Sequence, residues 1–160
     1  TRIAAWLTPT IIGDATIPLA KLESTAWTSY TPTWTATTTN PTLGNGTLTG
    51  YSQKVGRTVD VKIKLVIGST TNKGSGDYKF SLPFLPVTDT LKRTIGTLNL
   101  GDGGTDYIGQ SMIEATETVL RGVLPSNPSV PSAASFIGSS TISWATNNYA
   151  MFHARYEAAS

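Results

Sequence analysis

Between Thr47 and Leu82 the chain alternates apolar and polar residues on both sides of a two-residue break, and few folds accommodate that pattern. Val59, Val61, Ile63, Leu65 and Ile67 are separated by Asp60, Lys62, Lys64 and Val66. Strand side chains point to opposite faces at every second residue, so the segment predicts a half-buried strand with one polar side. Tyr51 to Val55 predicts its partner, and Gly56-Arg57 is short enough to close a hairpin between them. Tyr78, Phe80 and Leu82 resume the alternation until Pro83 ends it. The expectation is a β-protein with much polar surface, whose function resides in surfaces and assembly rather than in a reactive centre.

A chain of 160 residues fits one domain, with room for an appended arm. Only 14% of residues are charged, well under the roughly 25% usual for globular proteins, and the polarity comes instead from 27 Thr and 15 Ser. Thr is β-branched and suits a pleated surface while its hydroxyl meets water or a neighbour. A net charge of +2, scattered along the chain, does not predict a nucleic-acid partner; Lys62 and Lys64 on one strand face read as a solvated face. The absence of cysteine excludes disulfides, thiolate nucleophiles and cysteine metal sites. No apolar run reaches the roughly 18 residues that mark a membrane-spanning helix, so no membrane partner is expected. Pro9 interrupts the apolar start and no small-residue cleavage site follows, so a signal peptide is not expected. Thr1 fits a short protein whose initiator methionine has been removed, and equally the edge of a fragment.

The chain divides near Ala26 into an arm, residues 1–25, and a domain, residues 26–160. The arm carries Ile3, Trp6, Leu7, Ile11, Ile12, Ile17, Leu19 and Leu22 without sustained alternation. Pro18 to Ser24 reads as one or two helical turns, with Thr16 as a candidate cap. Burying each large apolar side chain contributes roughly 1.5–3 kcal/mol, so the arm should pack on something, with a neighbouring subunit or another protein preferred over its own domain. From Trp27 onward, nine strands are expected near 28–37, 46–55, 58–67, 77–82, 94–100, 106–116, 118–124, 140–146 and 148–157. Turn-rich separators and the lack of helical periods point to an antiparallel sandwich or jelly roll. The last strand places Tyr149, Met151, His153 and Arg155 on one face and Ala150, Phe152, Ala154 and Tyr156 on the other. Both faces carry apolar residues, so the second should be covered by a subunit interface or by a loop.

The chemistry-bearing residues are sparse. His153 is the lone histidine, with no nucleophile elbow beside it, and reads as a core or interface residue rather than a catalyst. Glu114 and Glu117 would lie on opposite faces of one strand, which does not make a glycosidase pair, although such pairs also form across strands. Asp102 to Asp106 superficially suggests a calcium loop but lacks the further oxygen ligands and reads as a polar turn. Gly74 to Gly76 lacks the lysine and helix of a phosphate loop, and Asn45-Gly46-Thr47 matches a glycosylation acceptor but its Asn-Gly is better explained as a turn. Trp27, Tyr30 and Trp34 read as core or interface aromatics, with sugar stacking as the other use. Neither catalytic residues, nor a metal site, nor a cofactor is expected.

The segment WTSYTPTWTATTTNPTLGNGTLTGYSQKVGRTVDVKIKLVIGSTTNKGSGDYKFSLP, together with ISWATNN and ARYEAAS, resembles a domain recurring in virion proteins of phages and prophages of actinobacteria. The resemblance covers about residues 26–159, and LGNGTLTGYSQKVGRTVDV is its most specific part. It implies a jelly-roll-like β-domain, commonly homotrimeric, on the particle exterior and without enzyme activity. DATIPLAKLESTAW is similar to linkers preceding such domains in tail fibres and minor tail proteins, but occurs here once with no shaft before it. The implied role is a capsid decoration, or cement, protein forming trimeric knobs on the phage head. Its partners would be further copies of itself and the major capsid protein or another virion protein. Ile3, Trp6, Leu7, Ile11 and Ile12 would be the arm's contacts. The alternative is a tail-fibre or spike tip recognising host-surface glycan through Thr70–Gly76 and Gly101–Asp106.

Overall fold

The computed structural model describes residues 26–88, 93–125 and 135–159. The arm, with Ile3, Trp6, Leu7, Ile11 and Ile12 and the helical turns expected at 18–24, lies outside the described residues. What is described is all-β, with no helix, and every strand pairing is antiparallel. The ten strands are β1 (Thr28–Tyr30), β2 (Trp34–Ala36), β3 (Thr47–Val55), β4 (Thr58–Val66), β5 (Tyr78–Ser81), β6 (Arg93–Asp102), β7 (Thr105–Ile113), β8 (Val119–Leu124), β9 (Ser135–Phe136) and β10 (Tyr149–Glu157). They follow the order β1-β3-β4-β10-β6-β7-β8-β5-β2, with β9 added to β8.

This sheet is continuous but curled into a half-barrel, as a β-sandwich joined at one corner would be. β8 makes the corner. Its Arg121, Gly122 and Val123 pair with β7, while Val119 and Leu120 pair with β5. A strand that changes partners along its length lets one sheet fold over itself. The fold brings β5 across β10, where the Phe80 and Phe152 rings meet at 4.8 Å between centroids.

The expected hairpin is present, with β3 and β4 paired from Thr47↔Val66 to Val55↔Thr58 around Gly56-Arg57. Gly56 has φ of +59°, a conformation that costs any side-chain-bearing residue about 1–2 kcal/mol. The alternation then sorts the residues. Val59, Val61, Ile63 and Leu65 of β4 join Leu98 and Leu100 of β6 and Ala150, Phe152, Ala154 and Tyr156 of β10 in the core. Trp34 meets Tyr78 edge-on at 5.0 Å and Tyr78 meets Trp144 at 5.6 Å, closing the core at its β2–β5 side.

Four expectations need correction. The segment 28–37 is two strands, because Pro32 lacks the N–H a continuous ladder needs. The strand expected over 106–116 ends at Ile113, where the chain turns through Glu114 to Glu117 with a 3.1 Å backbone hydrogen bond. No strand forms over 140–146: Trp144 is buried there and donates its indole N–H to the Gly138 carbonyl at 2.8 Å, so this loop serves the core through one anchor. Ser135–Phe136, expected as part of a separator, is a short strand on β8.

Candidate functional site

The polar face of β4 and the second face of β10 belong to the same surface, the outer side of the sheet opposite the core. Register fixes two rows of side chains across five strands. One row runs Thr49, Lys64, Met151, Asn99, Ile108 across β3, β4, β10, β6 and β7. The next row runs Tyr51, Lys62, His153, Thr97, Gln110 over the same strands. All of these but Gln110 line a groove of about 480 Å³, and no carboxylate is among its lining residues.

The groove is apolar where a solvated sheet face would ordinarily be polar. Ile108 is 77% exposed, Tyr51 47% and Met151 39%. Trp27, also 39% exposed, lies at its β3 side with its ring 4.3 Å from Lys62 Nζ. Lys64 Nζ lies 5.8 Å from the Tyr149 ring. Both lysines are exposed and rest their heads near aromatic faces, which ammonium groups favour. Asn99 Oδ1 is one of three buried side-chain polar atoms among the described residues without a hydrogen-bond partner.

His153, expected in a core or an interface, is not in the core. Its side chain is exposed on the outer face, in register with Lys62 and Thr97. No described loop covers this face, so of the two coverings expected for it, the loop is missing among the described residues. Arg155 on the same face binds Asp60 through 2.8 and 3.0 Å hydrogen bonds, closing off the polar end of the sheet.

The carboxylates are used otherwise than expected. Glu114 and Glu117 do not point away from one another across a strand; both turn toward Arg121, which is 5% exposed. Glu117 accepts hydrogen bonds from Arg121 Nε and Nη2 at 2.7 and 2.6 Å, and from Lys79 Nζ at 3.0 Å. Asp77 and Glu114 stand 3.8 and 3.9 Å from the same guanidinium, which also lies over the Phe136 ring. The Arg121 hydrogen bonds, opposed by partial burial and assisted by Lys79, hold the Glu117 carboxyl down at about 2. A carboxylate so held neither donates nor takes up a proton near neutrality, so this cluster fastens β5 to β8. Sequence reading missed it because Asp77, Lys79 and Arg121 come together only when the sheet curls.

The remaining motifs are turns. Asp102 accepts from Asn148 Nδ2 at 2.7 Å and Asp106 from the Tyr149 hydroxyl at 2.6 Å, so each carboxylate has a side-chain partner within the β6–β7 hairpin region. Asn45 Oδ1 accepts from the Thr70 backbone N–H and hydroxyl, both at 2.9 Å, tying two loops together. Among the described residues no group of three or more His, Cys, Asp or Glu is placed to hold a metal ion. Trp34 is core and Trp27 is surface. No protein-family model matches the chain, and comparison with curated proteins and with solved structures finds no match.

Proposed function

We propose that this chain is a non-enzymatic virion protein, a capsid decoration protein whose jelly-roll domain forms homotrimeric knobs on the head exterior. The observation that carries the reading is the apolar groove on the outer sheet face, centred on Tyr51, Met151 and Ile108, which is left uncovered among the described residues. Apolar area of that kind on a low-charge surface is a contact surface, because leaving it in water forgoes roughly 25 cal/mol for each Å² that burial would remove. The resemblance over residues 26–159 supplies the particle context. A protein that binds only the assembled shell stabilises it by mass action, and a cyclic oligomer multiplies each modest contact.

Imaging of intact virions with a label on this chain tests the reading. Label on the head exterior, at a mass of three chains per knob, is the expected result; label confined to the tail, or absent from particles, rejects it.

A receptor-binding tip is the second reading, and one observation favours it. Tyr149 pairs with Val66 on one side and Gly101 on the other, so the Thr70–Gly76 loop emerges at the same end of the sheet as Gly101–Asp106, which is not a loop but the end of the β6–β7 hairpin closed by the two-residue Gly103-Gly104 turn. Recognition segments gathered at one end are what glycan binding requires. Binding of the purified protein to host cell-wall glycan, with label at the tail tip, would select it.

A further inference from the structure

We infer that the outer-face groove takes an acidic, apolar segment of a partner polypeptide, whose carboxylates meet Lys62 and Lys64 while its apolar side chains cover Tyr51, Met151 and Ile108. This rests on the assembly proposed above in taking the groove for a contact surface, and it names the chemistry of what that surface contacts.

Charge is the first argument. Lys62, Lys64 and His153 line the groove and no carboxylate does. Elsewhere on the domain, Arg57 pairs with Glu157, Lys79 and Arg121 with Glu117, and Arg155 with Asp60. The exposed Lys62 and Lys64 rest instead near the Trp27 and Tyr149 rings, without a carboxylate partner among the described residues. Asp60 and Asp106, the acids two residues beyond the groove rows on β4 and β7, are already engaged by Arg155 and the Tyr149 hydroxyl. An incoming acid therefore meets two cations that no described acid offsets. They stand two residues apart on β4, about 7 Å, which is the spacing of side chains at i and i+2 on an extended partner.

The rest of the lining selects a polypeptide. A second copy packed face to face would set Lys62, Lys64 and His153 against their own equivalents, since a two-fold contact uses the same patch on both sides, and like charges oppose it. Thr49, Thr97 and Asn99 add two hydroxyls and an amide to the groove. These groups both donate and accept, as a peptide backbone does. A fatty-acid tail would cover them and leave them without partners, at a cost. The volume of about 480 Å³ falls within the roughly 300–1,000 Å³ of ligand sites, so the occupant is a few residues of extended chain rather than a domain.

The chain has two methionines, Met151 in the groove and Met112 outside its lining, so methyl-labelled methionine gives one reporter and one control. The purified full-length chain is titrated with the blocked peptide acetyl-Asp-Leu-Asp-Leu-Leu-amide, with its twin carrying Asn for both Asp, and with sodium decanoate. The expected result is a saturable shift of the Met151 methyl signal with the Asp peptide, while Met112 stays in place. The Asn twin and decanoate should each need at least about threefold higher concentration for half saturation, the scale of a pair of exposed ion contacts. Raising the salt should narrow the gap between the two peptides. Lys62→Gln combined with Lys64→Gln, both at exposed positions, should abolish it, and Ile108→Ser should weaken both peptides alike. Equal titration by the two peptides overturns the inference, as does decanoate matching the Asp peptide, Met112 moving with Met151, or a Met151 signal that never moves. The titration needs only the purified chain, so its failure leaves the virion label to decide the proposed function, and unlabelled particles leave the titration result standing.

Discussion

The Glu117 carboxylate grips the Arg121 guanidinium through two hydrogen bonds, of 2.7 Å from Nε and 2.6 Å from Nη2, four residues apart at the entrance to β8. Arg121 is buried and Glu117 is a quarter exposed, so the pair sits where solvent screening is weak without being fully desolvated. It lies on the one strand that bonds both halves of the curled sheet, and its loss should be felt as loss of the curl.

The pair makes stability depend on acid pH. Glu117 is held at about 2, below the ordinary value of 4.5. A lowered carboxyl contributes stability that is fully present above the unfolded value and is lost as pH falls through the folded one. The difference corresponds to about 3 kcal/mol. The unfolding free energy measured by urea titration should therefore decline between pH 4.5 and 2, and Glu117→Gln should flatten that decline while lowering stability at pH 7 by about 3 kcal/mol. A Glu117→Gln protein with the parent's acid limb would contradict this.

Across the fold, Phe80 and Phe152 carry the contact between β5 and β10. Each truncation to Ala should cost about 3–5 kcal/mol of unfolding free energy. The double variant should fall short of the sum by about 0.5–1.5 kcal/mol, the part due to the rings meeting each other. Strict additivity in chemical denaturation would mean that the rings do not meet.

Tyr156 pins the loop after β5. Its hydroxyl donates to the Phe84 carbonyl at 2.8 Å and accepts from the Phe84 N–H at 3.3 Å. Tyr156→Phe keeps the packing and removes both bonds, so the global loss should be only about 1 kcal/mol. Hydrogen exchange should show a larger change locally, with Phe84 losing protection while β4 and β10 keep theirs.

Gly96 sits at the bulge in the β6–β7 ladder, where pairing shifts between Thr94 and Gly96. A Cβ there would fall 1.9 Å from the His153 carbonyl oxygen. Because the obstacle is backbone, Gly96→Ala must push β6 away from β10, at a cost of about 1–3 kcal/mol. Alanine at Gly103, where nothing stands within 4 Å of the added carbon, serves as the contrast: its penalty comes from a φ of +57° alone. Similar thermal midpoints for Gly96→Ala and the parent would refute the steric account.

Asp60 and Arg155 form an equally well-aligned pair, but the arginine side chain is 70% exposed. Exposed pairs are screened and contribute little. Asp60→Asn should leave the thermal midpoint within the scatter of other surface substitutions, in contrast to Glu117→Gln, and a comparable loss would show that burial is not what separates them.

Much of the sheet is readable along the chain because its causes are local. The period-two run Val59–Ile67 can bury one face only as a strand, and Gly56-Arg57 closes it onto Tyr51–Val55 whatever surrounds it. The pairing of Tyr149, Met151, His153 and Arg155 on one face of β10 follows from the same arithmetic. The error over 140–146 has a local cause too: Ile142 and Trp144 alternate like a strand, yet a single anchored indole accounts for the burial. The Glu114–Glu117 error came from extending a strand past Ile113, where the backbone turns.

Composition and alternation were enough to establish an all-β chain with hydroxyl-rich, weakly charged surfaces, because side-chain direction along a strand depends on nothing beyond the neighbouring residues. Tertiary structure alone decided that β8 would turn the corner, that Asp77, Lys79, Glu114 and Glu117 would converge on Arg121, and that Tyr51, Ile108 and Met151 would share a groove. Those residues lie up to 100 positions apart, from Tyr51 to Met151, and only the curl and register of the whole sheet bring them within reach of one another.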